Sequence, residues 1–177
     1  MWRWRIIVAA AAALAAAIGC GSKQKAADKE IVRVPLEFGG RPDALAAWAV
    51  KAQVKGIKPY LKSEKNPERI TAINALGCLK GNAEATQLLL EIAHGSDARD
   101  AGFAILGLAH QGAPEAKAEI ERAFASPEAS LRRDACLAIG DYGDKSLYPL
   151  LEKASVDDDV IVRKGAAIAA KRLETGK

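Results

Sequence analysis

The sequence predicts an all-α fold, a short α-solenoid of about four to five helical hairpins. One segment recurs four times, and its copies align on an arginine at intervals of 30, 33 and 31 residues: Arg69, Arg99, Arg132 and Arg163. A fixed period of this size is typical of stacked helical repeats. The composition agrees, because half of the residues are apolar and only 5% are aromatic. Such a mix favours thin, closely packed helices over sheets with large side chains.

Glycine and proline mark where the helices begin and end. The arginine-bearing helices are predicted at about 67–80, 97–110, 129–142 and 159–174, and their partners at about 56–64, 83–94, 114–125 and 145–154. Gly81, Gly112 and Gly143 fall between the two helices of a pair, where a left-handed residue is needed. Pro59 and Pro149 are expected in the first turn of a second helix, where proline removes no hydrogen bond.

The N-terminal residues are predicted to be a signal peptide outside the fold. Arg3 and Arg5 give a positive start, and the apolar run at 6–18 is 13 residues long, too short to span a membrane comfortably. The run ends in Ala17-Ile18-Gly19-Cys20, which resembles the lipobox of bacterial lipoproteins, with alanine where leucine is usual. That resemblance implies cleavage before Cys20 and acyl chains on it that hold the protein on a membrane.

These features divide the chain into three parts. Residues 1–19 are the predicted lipoprotein signal peptide, 20–42 a flexible tether with an extended arm, and 43–177 the repeat domain. Within that domain, residues 43–55 form a degenerate opening repeat. The resemblance implies a lipid-anchored protein of the bacterial cell envelope, in the outer membrane and facing the periplasm. The alternative is an ordinary secretory signal, an incidental Cys20 and a soluble secreted or periplasmic protein.

The remaining cysteines are predicted to be free thiols. Cys78 and Cys136 lie in repeats that are not neighbours. Two repeat spacings of roughly 10 Å each would keep them beyond the reach of a disulfide. Cys136 is expected in the core, whereas the burial of Cys78 is left open.

The repeated segments resemble HEAT-like repeats, whose signature is valine-arginine, then small residues, then leucine-glycine-x-leucine. The opening appears as Leu131-Arg132 and Val162-Arg163, and the close as Leu76-Gly77, Leu106-Gly107 and Ile139-Gly140. The resemblance covers about 43–174. It implies that each repeat arginine bonds to an aspartate or to carbonyl groups near the turn between repeats. Acceptors for this arginine ladder are available at Asp97, Asp134 and Asp157 to Asp159.

The sequence contains no recognisable motif for catalysis, for a metal or for a cofactor. HEAT-like di-iron hydroxylases need several His-Glu pairs, and this chain has none, so His94 and His110 are expected to be solvated residues at helix ends. Asp157 to Asp159 lack the alternation and the glycine of a calcium loop. A net charge of +4 without a basic patch argues against nucleic acid. We therefore expect no enzyme, no catalytic residue, no metal, no cofactor and no small-molecule substrate.

One face of the arginine-bearing helices is the predicted partner-binding surface. In HEAT-like arrays these helices line the concave side, and three apolar residues would then face a groove: Leu108, Leu137 and Ile168. Charged residues at its edge are Arg133, Asp141 and Arg172. Exposed apolar area in a groove often marks a partner site. The alternative is that the three apolar residues pack between repeats because the helical phase is different.

Two functions remain open. The first is a lipid-anchored scaffold of the envelope that binds another envelope protein and has no catalysis of its own. The second is an accessory subunit or regulator of an envelope enzyme, or an enzyme of unrecognised type. The partners implied are an envelope protein and, through the N-terminal lipid, the membrane.

Overall fold

The computed structural model describes residues 42–176, which form eight α-helices. The helices are α1 Pro42–Ile57, α2 Asn66–Gly77, α3 Ala83–Ala93, α4 Ala98–Gln111, α5 Ala116–Phe124, α6 Ala129–Tyr142, α7 Tyr148–Ala154 and α8 Val160–Thr175. Short 3-10 segments at Lys58–Lys62 and Lys145–Leu147 complete the second helices of the first and fourth hairpins. Strands are absent from residues 42–176. The predicted all-α solenoid is confirmed, and its helix bounds agree with the structure to within three residues.

The helices form two layers of a stack. The first layer contains α2, α4, α6 and α8, which pack against one another in that order. The second layer contains Lys58–Lys62, α3, α5 and α7. These elements contact one another far less than the helices of the first layer do. A two-layer stack with one layer more closely spaced curves toward that layer. The first layer is therefore the inner, concave one.

Local signals end and begin the helices where the sequence predicted. Gly112 and Gly143 have φ values of 68° and 79°, a left-handed conformation that ends α4 and α6 before their partners. Gly81, with a φ of 73°, lies in the turn after α2, which is capped by Cys78. Asn82 accepts a hydrogen bond from the Ala85 amide at the start of α3, as an N-cap does. Pro149 lies in the first turn of α7, as expected. The chain reverses within a few residues each time, so the helices alternate in direction.

Apolar side chains between the two layers form one continuous core. Among its largest fully buried members are Leu76, Leu89, Ile105, Ile120 and Ile139. Each hairpin alone would leave one side of these residues exposed, so the hairpins are stable only when stacked. Full burial of one large apolar side chain stabilises the folded state by about 1.5–3 kcal/mol.

The predictions for the N-terminal part lie outside the described residues. They include the signal peptide, the tether and arm, and lipidation of Cys20. The boundaries of the three predicted parts stay predictions. Within residues 42–176, each helix is too short or too polar to cross a bilayer.

Candidate partner-binding face

Small residues bring the first-layer helices close together. A Cβ atom added to Gly77 would lie 2.8 Å from the Cα of Gly107, and one added to Gly140 would lie 3.1 Å from the Cα of Ala169. The first distance is shorter than side-chain carbons approach, so only glycine fits at position 77. The second is tighter than most such contacts, so a methyl group at position 140 would push the neighbouring helix away by a few tenths of an ångström. The exposed side of this layer lies opposite α3, α5 and α7. We call it the open face.

Helix α4 presents a different side to this face than α2 and α6 do. Gly77 of α2 and Gly140 of α6 lie against the next helix of the layer. In α4 the aligned Gly107 lies against Gly77 of the preceding helix, and Gly102 lies against Asp134 of the next one. The glycine of α4 that faces the next helix therefore precedes the signature glycine by five residues. Five residues of an α-helix turn through about 500°, which is one full turn and a further 140°, so α4 is rotated about its axis by about 140° relative to α2 and α6.

The rotation corrects the prediction for Leu108. This side chain is 0% exposed and belongs to the core, so it does not face the groove as expected. The residues of α4 that reach solvent on the open face are instead Arg99, Phe103, Leu106 and His110. Their spacing of four, three and four residues places them on one side of the helix. Phe103 and Leu106 are half-buried and pack against the core at one edge.

The other two predicted apolar residues do reach the surface. Ile168 is 48% exposed, and Leu137 is half-buried without packing against the core cluster. They occupy equivalent positions of α8 and α6. Together with Phe103 and Leu106 they form the apolar centre of the open face. Their role in binding a partner stays a prediction.

Three predicted charged residues lie on the open face in ion pairs. Arg133 donates from Nε and a terminal nitrogen to Oδ1 of Asp134, at 2.9 and 2.6 Å. Asp134 is only 4% exposed, and burial raises its pKa even though Arg133 opposes that shift. Arg172 of α8 donates to Asp141 of α6 at 2.5 Å, which links equivalent positions of neighbouring helices.

Three cations of the open face and its edge have no acidic partner among residues 42–176. Arg99, Lys164 and Lys171 are exposed, and their side chains make no hydrogen bond or ion pair within the described part of the chain. The acids of this face are already paired: Asp100 with Arg69, Asp134 with Arg133, and Asp141 with Arg172. The face therefore carries excess positive charge.

The predicted arginine ladder is present in three of its four members. Arg132 donates to both carboxylate oxygens of Asp157, at 2.9 and 2.8 Å, and to two carbonyls of the preceding turn. This guanidinium lowers the pKa of Asp157 to about 2. Arg163 donates to the carbonyls of Asp157 and Asp158. Nε of Arg69 lies 2.5 Å from Oδ2 of Asp100, and Nη2 of Arg69 lies 3.7 Å from Oδ2 of Asp97.

Arg99 is the missing member of the ladder. Because α4 is rotated, its side chain lies on the open face and away from the turn between repeats. Asp134, which the sequence offered as a ladder acceptor, instead holds Arg133. Arg99 is thus free for contact with another molecule, which sequence reasoning missed.

A second polar cluster lies in the outer layer, between the end of α3 and α5. Glu119 is 8% exposed and accepts hydrogen bonds from Nε2 of His94 at 2.8 Å and from Arg122 at 2.7 and 2.9 Å. Burial opposes ionisation of this carboxyl, but the bonds from His94 and Arg122 outweigh it, so its pKa is lowered. Arg122 also donates to the carbonyl of Ala93. His94 is exposed as predicted, but it is tied to Glu119.

Neither cysteine of the described part is bonded to the other. Cys78 and Cys136 are free thiols, as predicted. Cys136 is fully buried, and this burial raises its pKa to about 12. Cys78 is half-buried on the open face, and burial raises its pKa too. Within residues 42–176, no three His, Cys, Asp or Glu side chains converge as metal ligands would.

Cavities lie both beside the open face and at its edge. One of about 430 Å³ is formed by the turns after α2 and α4 and is lined by Thr86, Gln111 and Glu115 among others. A second, of about 390 Å³, is lined by Gly140, Asp141 and Arg172 among others and therefore reaches the open face. A smaller one, of about 310 Å³, lies between α7 and α8 and is lined by Tyr148 and Leu151 among others.

Comparison with known proteins supports the fold. The sequence profile of the HEAT repeats family matches residues 92–171. Among solved structures, the chain is similar to human deoxyhypusine hydroxylase in complex with glycerol, with 23% identity and a TM-score of 0.54. The alignment covers 70% of this chain and 44% of that one, so this chain spans less than half of its length. A search of curated proteins found no match. The fold is a short HEAT-like α-solenoid.

The same comparison corrects one functional prediction. We expected that the chain is not an enzyme, and its similarity to a hydroxylase overturns that prediction. A chain without a recognisable catalytic motif can still carry catalytic groups. Side chains that meet on a solenoid can belong to neighbouring repeats, so they need not be close in sequence. The His94–Glu119 pair, separated by 25 residues, illustrates how such a pair escapes notice.

Proposed function

We propose that this chain is an accessory or regulatory subunit of an envelope enzyme, which it binds through the open face. The observation that supports this proposal is the apolar centre of that face. Four apolar side chains reach solvent on α4, α6 and α8, which are neighbours in the first layer: Phe103, Leu106, Leu137 and Ile168. Exposed apolar area that is surrounded by charged residues is typical of protein-binding surfaces.

The construction of the inner layer suits such a role. Its helices are held at fixed spacing by Gly77, Gly107 and Gly140, and by the Arg132–Asp157 and Arg172–Asp141 pairs. A rigid surface loses little conformational entropy when a partner binds. The open face is therefore preorganised for one partner geometry.

The second part of the proposal is lipid attachment. Cys20, with its preceding apolar run, would carry acyl chains that keep the solenoid at a bacterial envelope membrane. Changing Cys20→Ala should release the full chain into the soluble fraction and stop mass addition at residue 20. A variant that stays with membranes at the wild-type level would argue against lipid anchoring.

Site-specific crosslinking tests the docking surface. A photoreactive phenylalanine analogue placed at Leu137 should crosslink one envelope enzyme in intact cells, identified by mass spectrometry. The control position is Val156, which is 80% exposed and lies between α7 and α8, away from the open face. Equal yields of the same product from both positions would contradict docking on the open face. Activity of the captured enzyme should change when the chain is removed.

A second candidate is that the chain is itself an enzyme of unrecognised type. Its favouring observations are the similarity to a hydroxylase and the buried, ionised Glu119 held beside His94. Purified full chain would then turn over a substrate alone, and Glu119→Gln would abolish turnover. The control is Glu115→Gln, an exposed neighbour. Loss of stability without any turnover in the wild type would leave Glu119 with a structural role.

A further inference from the structure

We infer that the segment bound on the open face is an amphipathic helix with acidic residues flanking its apolar side. This inference rests on the proposed function, since it names the chemistry of the partner segment. It is drawn from the charges that remain uncompensated on the face and from the dimensions of its apolar centre.

The charge balance favours an acidic partner. Every aspartate of the face has a cation within ion-pair distance, whereas Arg99, Lys164 and Lys171 have no acid within residues 42–176. Arg99 is available because α4 is rotated away from its ladder position. Carboxylates of a partner would pair with these cations, and basic residues there would be repelled.

The apolar centre matches a helix of about four turns. It extends over three consecutive first-layer helices, α4, α6 and α8, so it is roughly 20 Å long at the usual helix spacing of 8–10 Å. An α-helix covers that length with about 13 residues. Apolar residues at intervals of three and four would contact Phe103, Leu137 and Ile168 in turn.

The concave curvature argues against a membrane as the occupant. A flat bilayer surface would meet only the outer edges of a concave face, and the half-buried Phe103, Leu106 and Leu137 lie in its centre. A helix of about 10 Å diameter fits into such a groove. The expected occupant is therefore a protein helix, and the experiment below also tests for lipid binding.

Three designed peptides form the probe. Each has 18 residues and leucines at intervals of three and four, and the flanking positions hold glutamate, glutamine or lysine. Fluorescence anisotropy with the full chain should give at least about tenfold tighter binding for the glutamate peptide than for the lysine peptide at low salt. The ratio should fall toward one as salt rises, because exposed ion pairs are screened.

Two variants locate the contact. Arg99→Glu should lower the affinity for the glutamate peptide about tenfold and raise the affinity for the lysine peptide. Lys153→Glu changes an exposed lysine of the outer layer and should alter neither affinity. Leu137→Ser should weaken all three peptides about tenfold, since they share the apolar side. Thermal unfolding of each variant confirms that the fold is kept.

The outcomes separate this inference from the proposed function. Equal affinity for the three peptides, or no measurable binding of any, overturns the acidic helix, while crosslinking from Leu137 to an envelope enzyme would still support docking. Binding that Arg99→Glu leaves unchanged also overturns it. Cosedimentation with anionic phosphatidylglycerol vesicles that is lost in Arg99→Glu, without peptide binding, would replace the helix by a lipid surface.

Discussion

Helices α4 and α6 carry the same repeat signature, yet they present different sides to solvent. In α6 the signature glycine, Gly140, lies against the next helix, and Leu137 reaches the open face. In α4 that contact is made by Gly102, and Leu108 is fully buried. A repeat signature thus sets the period of a solenoid without setting the rotation of every helix. The rotation decides which residues a partner can touch.

The rotation also divides the two arginines of these repeats by role. Arg132 of α6 is held by Asp157 and by backbone carbonyls, so it stabilises the junction between repeats. Arg99 of α4 has the same place in the signature, but its side chain has no hydrogen-bond or ion-pair partner among the described residues, and only its backbone amide bonds to Asp97. One residue type at one aligned position is structural in α6 and available for binding in α4.

The largest expected effect comes from placing an aspartate at the two leucines. Leu108→Asp buries an unpaired charge in the core and should lower the free energy of unfolding by about 4 kcal/mol. Leu137→Asp, at a half-exposed site, should lower it by about 1 kcal/mol. Urea denaturation of both variants measures the difference. Equal losses would mean that the two leucines have the same environment.

A methyl group at a glycine contact should have the next largest effect. Gly77→Ala forces the new Cβ against the backbone of Gly107 and should destabilise by about 2–3 kcal/mol. The control is Gly107→Ala, whose Cβ would meet the terminal methyls of Leu89 at 3.1 and 3.3 Å and the Cα of Gly77 at 3.4 Å, all longer than the 2.8 Å contact at Gly77. That variant should lose about 1 kcal/mol or less, since alanine also favours the helix. A reversed order would contradict the packing described for α2 and α4.

The two aligned arginines should respond unequally to truncation. Arg132→Ala removes two bonds to Asp157 and should lower the free energy of unfolding by about 2 kcal/mol. Arg99→Ala should change it by no more than about 0.5 kcal/mol, as surface substitutions usually do. Thermal and urea unfolding would measure this difference. An equal loss of unfolding free energy in both variants would mean that Arg99 stabilises the junction between repeats as Arg132 does.

The smallest effect is a dependence on pH. The pKa of Asp157 is lowered to about 2 by Arg132, so the charged carboxylate stabilises the folded state above the unfolded pKa of about 3.9. That stability is lost as the pH falls from about 4 through about 2. The melting difference between wild type and Arg132→Ala should therefore shrink from pH 7 to pH 2.5. A constant difference would assign the effect of Arg132 to its carbonyl contacts.

Much of the fold could be predicted because its signals are local. Glycines such as Gly112 and prolines such as Pro149 restrict the backbone wherever they occur, so the helix bounds followed from the sequence. The small residues that permit close packing also recur with the repeat. These features depend mainly on each hairpin by itself.

The candidate site was harder to predict because it depends on rotation and on distant pairs. Gly102 and Gly107 are both small enough for a helix contact, and no local rule chooses between them. The choice follows from packing against Asp134 on one side and Gly77 on the other. The pairing of His94 with Glu119 likewise joins different hairpins. For α6 and α8, which keep the expected phase, Leu137 and Ile168 were placed correctly at the surface.

The rotation of α4 is tested most directly by thiol accessibility. Phe103→Cys and Leu108→Cys are compared in a background with Cys20 and Cys78 replaced by serine, while buried Cys136 is kept. We predict that maleimide modifies the cysteine at position 103 about a hundredfold faster than the one at 108, which reacts only when the core opens. A faster reaction at position 108 would contradict the rotation and return Leu108 to the open face.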